Sequence, residues 1–133
     1  MHKLNSILLI DDDTVNNFIV TKNIELAGIT KRIHTCLNGK DGIIFLDDCL
    51  EKREEHLPDV ILLDINMPVM DGWDFLNEFG KYPESVQERV RIYVVSSSVH
   101  MADIERSRQY RCVKDFISKP IHKERLLSLV AGH

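Results

Sequence analysis

Carboxylates at the ends of apolar runs are the residues best placed to do chemistry in this chain. Val60-Ile61-Leu62-Leu63 runs straight into Asp64, and Ile65-Asn66-Met67-Pro68 then turns the chain. A similar run, Ile7-Leu8-Leu9-Ile10, ends in Asp11-Asp12-Asp13. Both read as buried strands, and open α/β sheets bind ligands at the carboxyl ends of their strands. Two further strand-like segments end in groups of complementary type: Arg91–Val95 leads to Ser96-Ser97-Ser98, and Val113–Ile117 leads to Lys119-Pro120. Acids gathered on one edge repel unless a cation joins them. With no Cys or His nearby the donors are oxygens, which suits Mg²⁺, or Mn²⁺ as an alternative, over zinc. A hard divalent ion beside a lysine and a hydroxyl makes a phosphoryl site. A carboxylate in that setting can itself be the nucleophile, giving an acyl phosphate.

The strand ends share an edge only if the strands are parallel, and the segments between them favour that. The first helix is expected over Thr14–Ala27, capped by Asp13 or Thr14 and stopped by Gly28, with Val15, Phe18, Ile19 and Leu26 at near-helical spacing. A weaker strand, Arg32–Cys36, precedes the turn Asn38-Gly39 and a helix over Lys40–Glu51 carrying Ile43, Ile44, Leu46 and Leu50. Charged Lys52–Asp59 reads as a solvated helix tail and loop. After the strand Val60–Leu63, Asp71-Gly72 opens a third helix with Trp73, Phe75, Leu76 and Phe79; Asp71, like Asp13, reads as a cap. Gly80–Arg89, interrupted by Pro83, reads as a long surface connection. The fourth helix is expected over Met101–Tyr110 and the fifth over His122–Val130, with Leu126, Leu127 and Val130 inward. Five strand–helix units predict an α/β fold, a doubly wound parallel sheet covered on both faces. No residues remain after the fifth helix for a second domain, so residues 1–133 read as one.

Composition narrows the function. The 133 residues are 44% hydrophobic and 29% charged, as in a soluble globular domain. The net charge of −4, without a long basic run, disfavours nucleic acid and anionic membranes as partners. Cys36, Cys49 and Cys112 are odd in number and lack Cys-x-x-Cys spacing, so they read as free, buried thiols in a reducing compartment. The six histidines are scattered. The N-terminal apolar run is too short for a signal core or a membrane span, which implies a cytoplasmic protein. Gly132-His133 fits either a native end or the start of a purification tag.

The whole set resembles a CheY-like response-regulator receiver domain, the phosphoacceptor of two-component signalling. The residues that carry the resemblance are Asp11 and Asp12, the segment Leu63-Asp64-Ile65-Asn66-Met67-Pro68-Val69-Met70-Asp71-Gly72, Ser96, and Lys119-Pro120. The resemblance implies a flavodoxin-like (βα)5 three-layer sandwich with strand order 2-1-3-4-5. It implies phosphorylation of Asp64 by a sensor histidine kinase or phosphotransfer protein. Mg²⁺ would be held by Asp12, Asp64 and the backbone carbonyl of Asn66, with Asp11 holding a metal-bound water. Lys119 would pair with the phosphoryl group and, before phosphorylation, with Asp64; Ser96 would swing toward the phosphoryl oxygen. Phe116 matches the switch aromatic, where a tyrosine is common, and its missing hydroxyl leaves it packing alone. Asn66 and Ser98 match positions that tune hydrolysis. The Lys119-Pro120 bond is implied to be cis. The output surface would be the fourth helix, fifth strand and fifth helix, meeting a downstream protein or a second receiver in a homodimer. One rival pattern is present: Asp11-Asp12-Asp13-Thr14-Val15 fits the Asp-x-Asp-x-Val of haloacid-dehalogenase phosphatases, with Asp11 as nucleophile and Asp13 as acid. That reading leaves Asp64, Asn66 and Met67-Pro68 without a role.

Overall fold

A strand that is apolar on both faces needs helices above and below it. The computed structural model, which describes residues 4–131, supplies them; Gly132 and His133 lie outside the described residues. The elements run β1 (Ile7–Ile10), α1 (Thr14–Leu26), β2 (Ile33–Cys36), α2 (Gly39–Lys52), β3 (Val60–Asp64), α3 (Gly72–Phe79), α4 (Glu84–Arg89), β4 (Arg91–Ser96), α5 (Met101–Ser107), β5 (Val113–Ser118) and α6 (Lys123–Ala131). All strands pair in parallel, in the order β2-β1-β3-β4-β5. The (βα)5 fold and strand order implied by the sequence are therefore present.

Successive residues of the central strands feed two cores. Leu8, Ile10, Ile61, Leu63, Ile92 and Val94 face Leu46 of α2, Phe75, Leu76 and Phe79 of α3, and Val86 of α4. Ile7, Leu9, Val60, Leu62, Tyr93 and Val95 face Val20 and Ile24 of α1 and Leu126 and Leu129 of α6. Helix starts are set by side-chain caps: Asp13, Asn38 and Asp71 accept from the backbone N–H of Asn16, Asp41 and Asp74.

Two expectations need correction. Val15, Phe18, Ile19 and Leu26 are not the inward stripe of α1; they are 68%, 64%, 51% and 79% exposed, while Asn17, Val20 and Ile24 are buried. Apolar residues ring this helix, so spacing alone selects no face, and packing on the sheet selects 17, 20 and 24. Ile44 of α2 is likewise exposed, while Leu46 is buried. Second, Gly80–Arg89 is not all loop. It contains α4, entered at Pro83, with Glu84 in the first turn, Arg89 in the last, and Val86 buried against the core. A helix of six residues, under two turns, is too short for periodicity to reveal. The expected loop over Lys52–Asp59 also holds one 3-10 turn, Glu54–His56.

Close approach requires glycine at Gly72. A Cβ there would lie 2.6 Å from the Asp64 carbonyl oxygen and 2.8 Å from the Ile65 Cα. Its N–H donates to the Ile65 carbonyl at 2.8 Å, so the start of α3 is clamped to the end of β3. Gly72→Ala should cost about 1–3 kcal/mol through forced backbone displacement, read as a lowered urea midpoint with an unchanged slope. Wild-type stability in that variant would contradict the clamp.

Candidate functional site

The parallel register delivers the charged residues to one edge. Asp64 is the last residue of β3 and pairs with Val95 of β4. Asp11 follows β1 directly, its N–H bonded to the Cys36 carbonyl. Ser96 ends β4, and its carbonyl accepts from the Lys119 N–H at 2.9 Å, which sets the loop after β5. The Lys119-Pro120 bond is cis. Four of the five strands thus end at or beside a candidate side chain: Asp11 after β1, Asp64 in β3, Ser96 in β4 and Lys119 after β5.

Asp11, Asp12 and Asp64 each present a carboxylate oxygen within 4.8 Å of the others. Asp11 and Asp64 are buried, at 5% and 7% exposure, while Asp12 faces solvent. Beneath the acids, Leu9, Val20, Leu62, Val95 and Ile121 form an apolar floor. Among the described residues, one side-chain cation is paired with the acids. Lys119 Nζ lies 2.7 Å from Asp11 Oδ2 and 3.8 Å from Asp64 Oδ1. The expected Lys119–Asp64 pairing is therefore the longer of two contacts, and Asp11 is the nearer partner.

Burial and the Asp11 charge push the Asp64 carboxyl up from 3.8 to about 6, against the pull of Lys119 and the Ile65 N–H. Its Oδ1 accepts that N–H at 2.9 Å. Three carboxylates with one ammonium leave excess negative charge in a partly dry pocket. All candidate donors are oxygens, so the residues present fit a hard divalent cation.

The other candidates fall into place around this pocket. Ser96 is buried and exchanges hydrogen bonds with the Ser98 backbone, donating to its carbonyl at 2.9 Å and accepting its N–H at 3.2 Å. Ser98 and Asn66 are exposed at the rim. Phe116 is half-buried in β5 against the core that holds the inward residues of α2, α3 and α4. Asp13 is exposed and its carboxylate caps α1, so it does not stand as an acid over Asp11. Two residues were not picked out from the sequence. Asn16 Nδ2 donates to Asp11 Oδ2 at 3.1 Å, and buried Asn17 donates to the Asp11 carbonyl at 2.9 Å. Two asparagines in the first turn after an acid cluster were the available signal.

A family model of the response regulator receiver domain matches residues 7–131. The chain belongs to that family. This receiver is 32% identical over 124 residues to the sensor histidine kinase CheAY of Helicobacter pylori, covering 93% of its own length and 14% of the kinase. It is 26% identical over 128 residues to the polar-differentiation response regulator DivK of Brucella ovis, covering 96% and 94% of the two chains. A solved two-component response regulator from Cytophaga hutchinsonii matches with TM-score 0.89 at 27% identity, over 99% of this receiver and 100% of that chain. A receiver protein from Dyadobacter fermentans matches with TM-score 0.77 at 28% identity, over 95% and 97%. Five matching histidine kinases are far longer, and the receiver spans 3% to 14% of their lengths. The fold and the acid triad are consistent with those of a receiver domain. No helix among the described residues is long and apolar enough to cross a membrane.

The raised Asp64 carboxyl has a thermodynamic signature. The folded state holds this proton more tightly than the unfolded chain, so acidification favours folding through this group. Its penalty is full above about pH 6 and absent below about pH 4. Solvent screening at the pocket mouth leaves a penalty of roughly 1–2 kcal/mol at neutral pH. Without metal, Asp64→Asn should be more stable than the parent at pH 7.5, and the difference should close toward pH 4. Urea unfolding in a chelator across that range checks it; a difference independent of pH would refute the assignment.

Proposed function

We propose that this receiver takes a phosphoryl group onto Asp64 from a phosphohistidine of a sensor kinase or phosphotransfer protein, and that the modification switches a protein-binding surface. The observation that carries the reading is the convergence of Asp11, Asp12 and Asp64 with Lys119. An Asp64 oxygen forms the new bond to phosphorus while the phosphorus–nitrogen bond of the donor breaks, and the imidazole keeps the electron pair. Lys119 leaves Asp11 to meet the transferred group, and Ser96 gives up its turn bonds to donate to a phosphoryl oxygen. Asp12, Asp64 and the Asn66 carbonyl would hold Mg²⁺ (or Mn²⁺), with Asp11 acting through a water. When bound, that ion supplies charge neutralisation for the phosphoryl oxygens. Water later hydrolyses the acyl phosphate, at a rate that Asn66 and Ser98 tune from the rim. The haloacid-dehalogenase reading gains no support, since Asp13 is occupied as a helix cap.

The bare apolar face of α1 gives the phosphodonor a place to dock. Val15, Phe18 and Ile19 are exposed in the first two turns after the acid cluster. The output face is α5, β5 and α6. Several of its cations already have partners: Arg106 lies over Trp73, Arg111 is near Glu84, and Arg125 pairs with Asp115. Arg108 and Lys123 lie in no ion pair among the described residues, and Lys114 lies near the Cys112 thiol. They suit an acidic protein partner or a second receiver, with Phe116 as the half-buried aromatic that responds.

Two measurements test this. With a small acyl phosphate and Mg²⁺, intact mass should rise by one phosphoryl group, localised to Asp64 and absent in Asp64→Asn. Full labelling of Asp64→Asn would overturn the site. Phe18→Ser should leave labelling by the small donor unchanged and slow transfer from the partner kinase by about tenfold or more, as expected for loss of an aromatic docking residue; equal slowing of both would place Phe18 in the fold instead.

A further inference from the structure

We propose that Asn16 is the positioning residue that keeps the Asp11 carboxylate aimed into the pocket once Lys119 has left it. The inference rests on the phosphoacceptor reading of Asp64 and deepens it. Asp11 is 5% exposed, and both its oxygens are engaged. Oδ1 accepts the Asp13 N–H at 2.9 Å. Oδ2 accepts Lys119 Nζ at 2.7 Å and Asn16 Nδ2 at 3.1 Å. Lys119 has a single ammonium and lies 1.1 Å farther from Asp64 than from Asp11, at 3.8 against 2.7 Å. It cannot hold Asp11 closely and also meet a phosphoryl group on Asp64. A cation in the pocket competes with that ammonium for the same oxygens, so metal loading asks the same of Asp11.

Asp11 then needs donors that stay. A buried carboxylate oxygen left without one carries a desolvation penalty and is free to turn. The Asp13 N–H is backbone and stays on Oδ1. On Oδ2 only Asn16 remains. Its backbone is fixed in the first turn of α1, with its own N–H on Asp13 Oδ1 at 3.0 Å. The neighbouring Asn17 holds the Asp11 carbonyl at 2.9 Å, so the Asp11 backbone is pinned separately. The amide is uncharged: it holds the carboxylate without adding to the charge that a metal ion or a phosphoryl group must meet. Remove it, and Oδ2 has only Lys119, which ties the lysine more firmly to Asp11 and weakens the pocket for a divalent ion.

The test is a calorimetric Mg²⁺ titration of wild type and Asn16→Ala with no phosphodonor, alongside thermal unfolding in chelator. The expected result is Mg²⁺ binding weakened about tenfold, in the range typical for loss of a group that orients a metal ligand, with the unfolding temperature nearly unchanged. Affinity within twofold of wild type overturns the proposal, as does a lowered unfolding temperature with unchanged affinity, which would make Asn16 a helix-start residue only. If the alanine variant does not fold, Asn16→Leu, which keeps the bulk and removes the donor, is titrated under the same criteria. The readout involves no phosphorylation. Failure of Asp64 to take label in the wild type therefore counts against the phosphoacceptor reading, and an unmoved Mg²⁺ affinity counts against Asn16.

Discussion

Three carboxylates share one ammonium at the edge of a parallel sheet, and the imbalance shapes everything around them. Two of the acids are buried over an apolar floor of Leu9, Leu62 and Val95, so water relieves little of their repulsion. Lys119 settles on Asp11 and leaves Asp64 the poorer partner, while burial and the Asp11 charge raise the Asp64 carboxyl to about 6. The side chains of the pocket thus supply less positive charge than its acids carry. A divalent cation and a tetrahedral anion entering together would satisfy acids and lysine at once, which neither does alone.

The same edge is wired to the surface through backbone. Gly72 lies against the Asp64 carbonyl, and Trp73 follows it. The Arg106 guanidinium of α5 sits 4.4 Å over the Trp73 ring, and Tyr110 stacks on that ring at 6.0 Å while its hydroxyl donates to Asn77 of α3. The start of α3 therefore touches both the reactive strand end and the helix proposed for output. On the other side of the pocket, the Lys119 N–H is bonded to the Ser96 carbonyl, so the lysine and the hydroxyl share one support. In the segment between Asp64 and α3 lies Val69, a β-branched residue at φ +69° in a turn closed by the Met70 N–H on the Pro68 carbonyl. Backbone strain of about 1–3 kcal/mol beside the proposed phosphoacceptor is consistent with a loop shaped for function.

Much of this was legible in the residues. Apolar runs ending in Asp11 and Asp64 announced buried parallel strands, because only a sheet covered on both sides accepts four or five aliphatic residues in a row. The order of acid, acid, hydroxyl and lysine along the chain pointed to one pocket, and Asp13 and Asp71 read correctly as caps. What stayed hidden depended on choices between equivalent faces. Nothing in α1 marks Phe18 as outward and Asn17 as inward, since both flank apolar neighbours. The short helix after Pro83 was invisible because under two turns show no period.

The chain by itself determined the strands, their sequence of polar ends and hence which groups are candidates for chemistry, because hydrophobic runs and the residues that terminate them are local properties. Tertiary structure alone decided which partner each charge takes. Lys119 prefers Asp11 to Asp64, Asn16 joins it on the same oxygen, and α1 turns its aromatic residue to solvent, because such outcomes depend on ångström differences between side chains brought together by the sheet register.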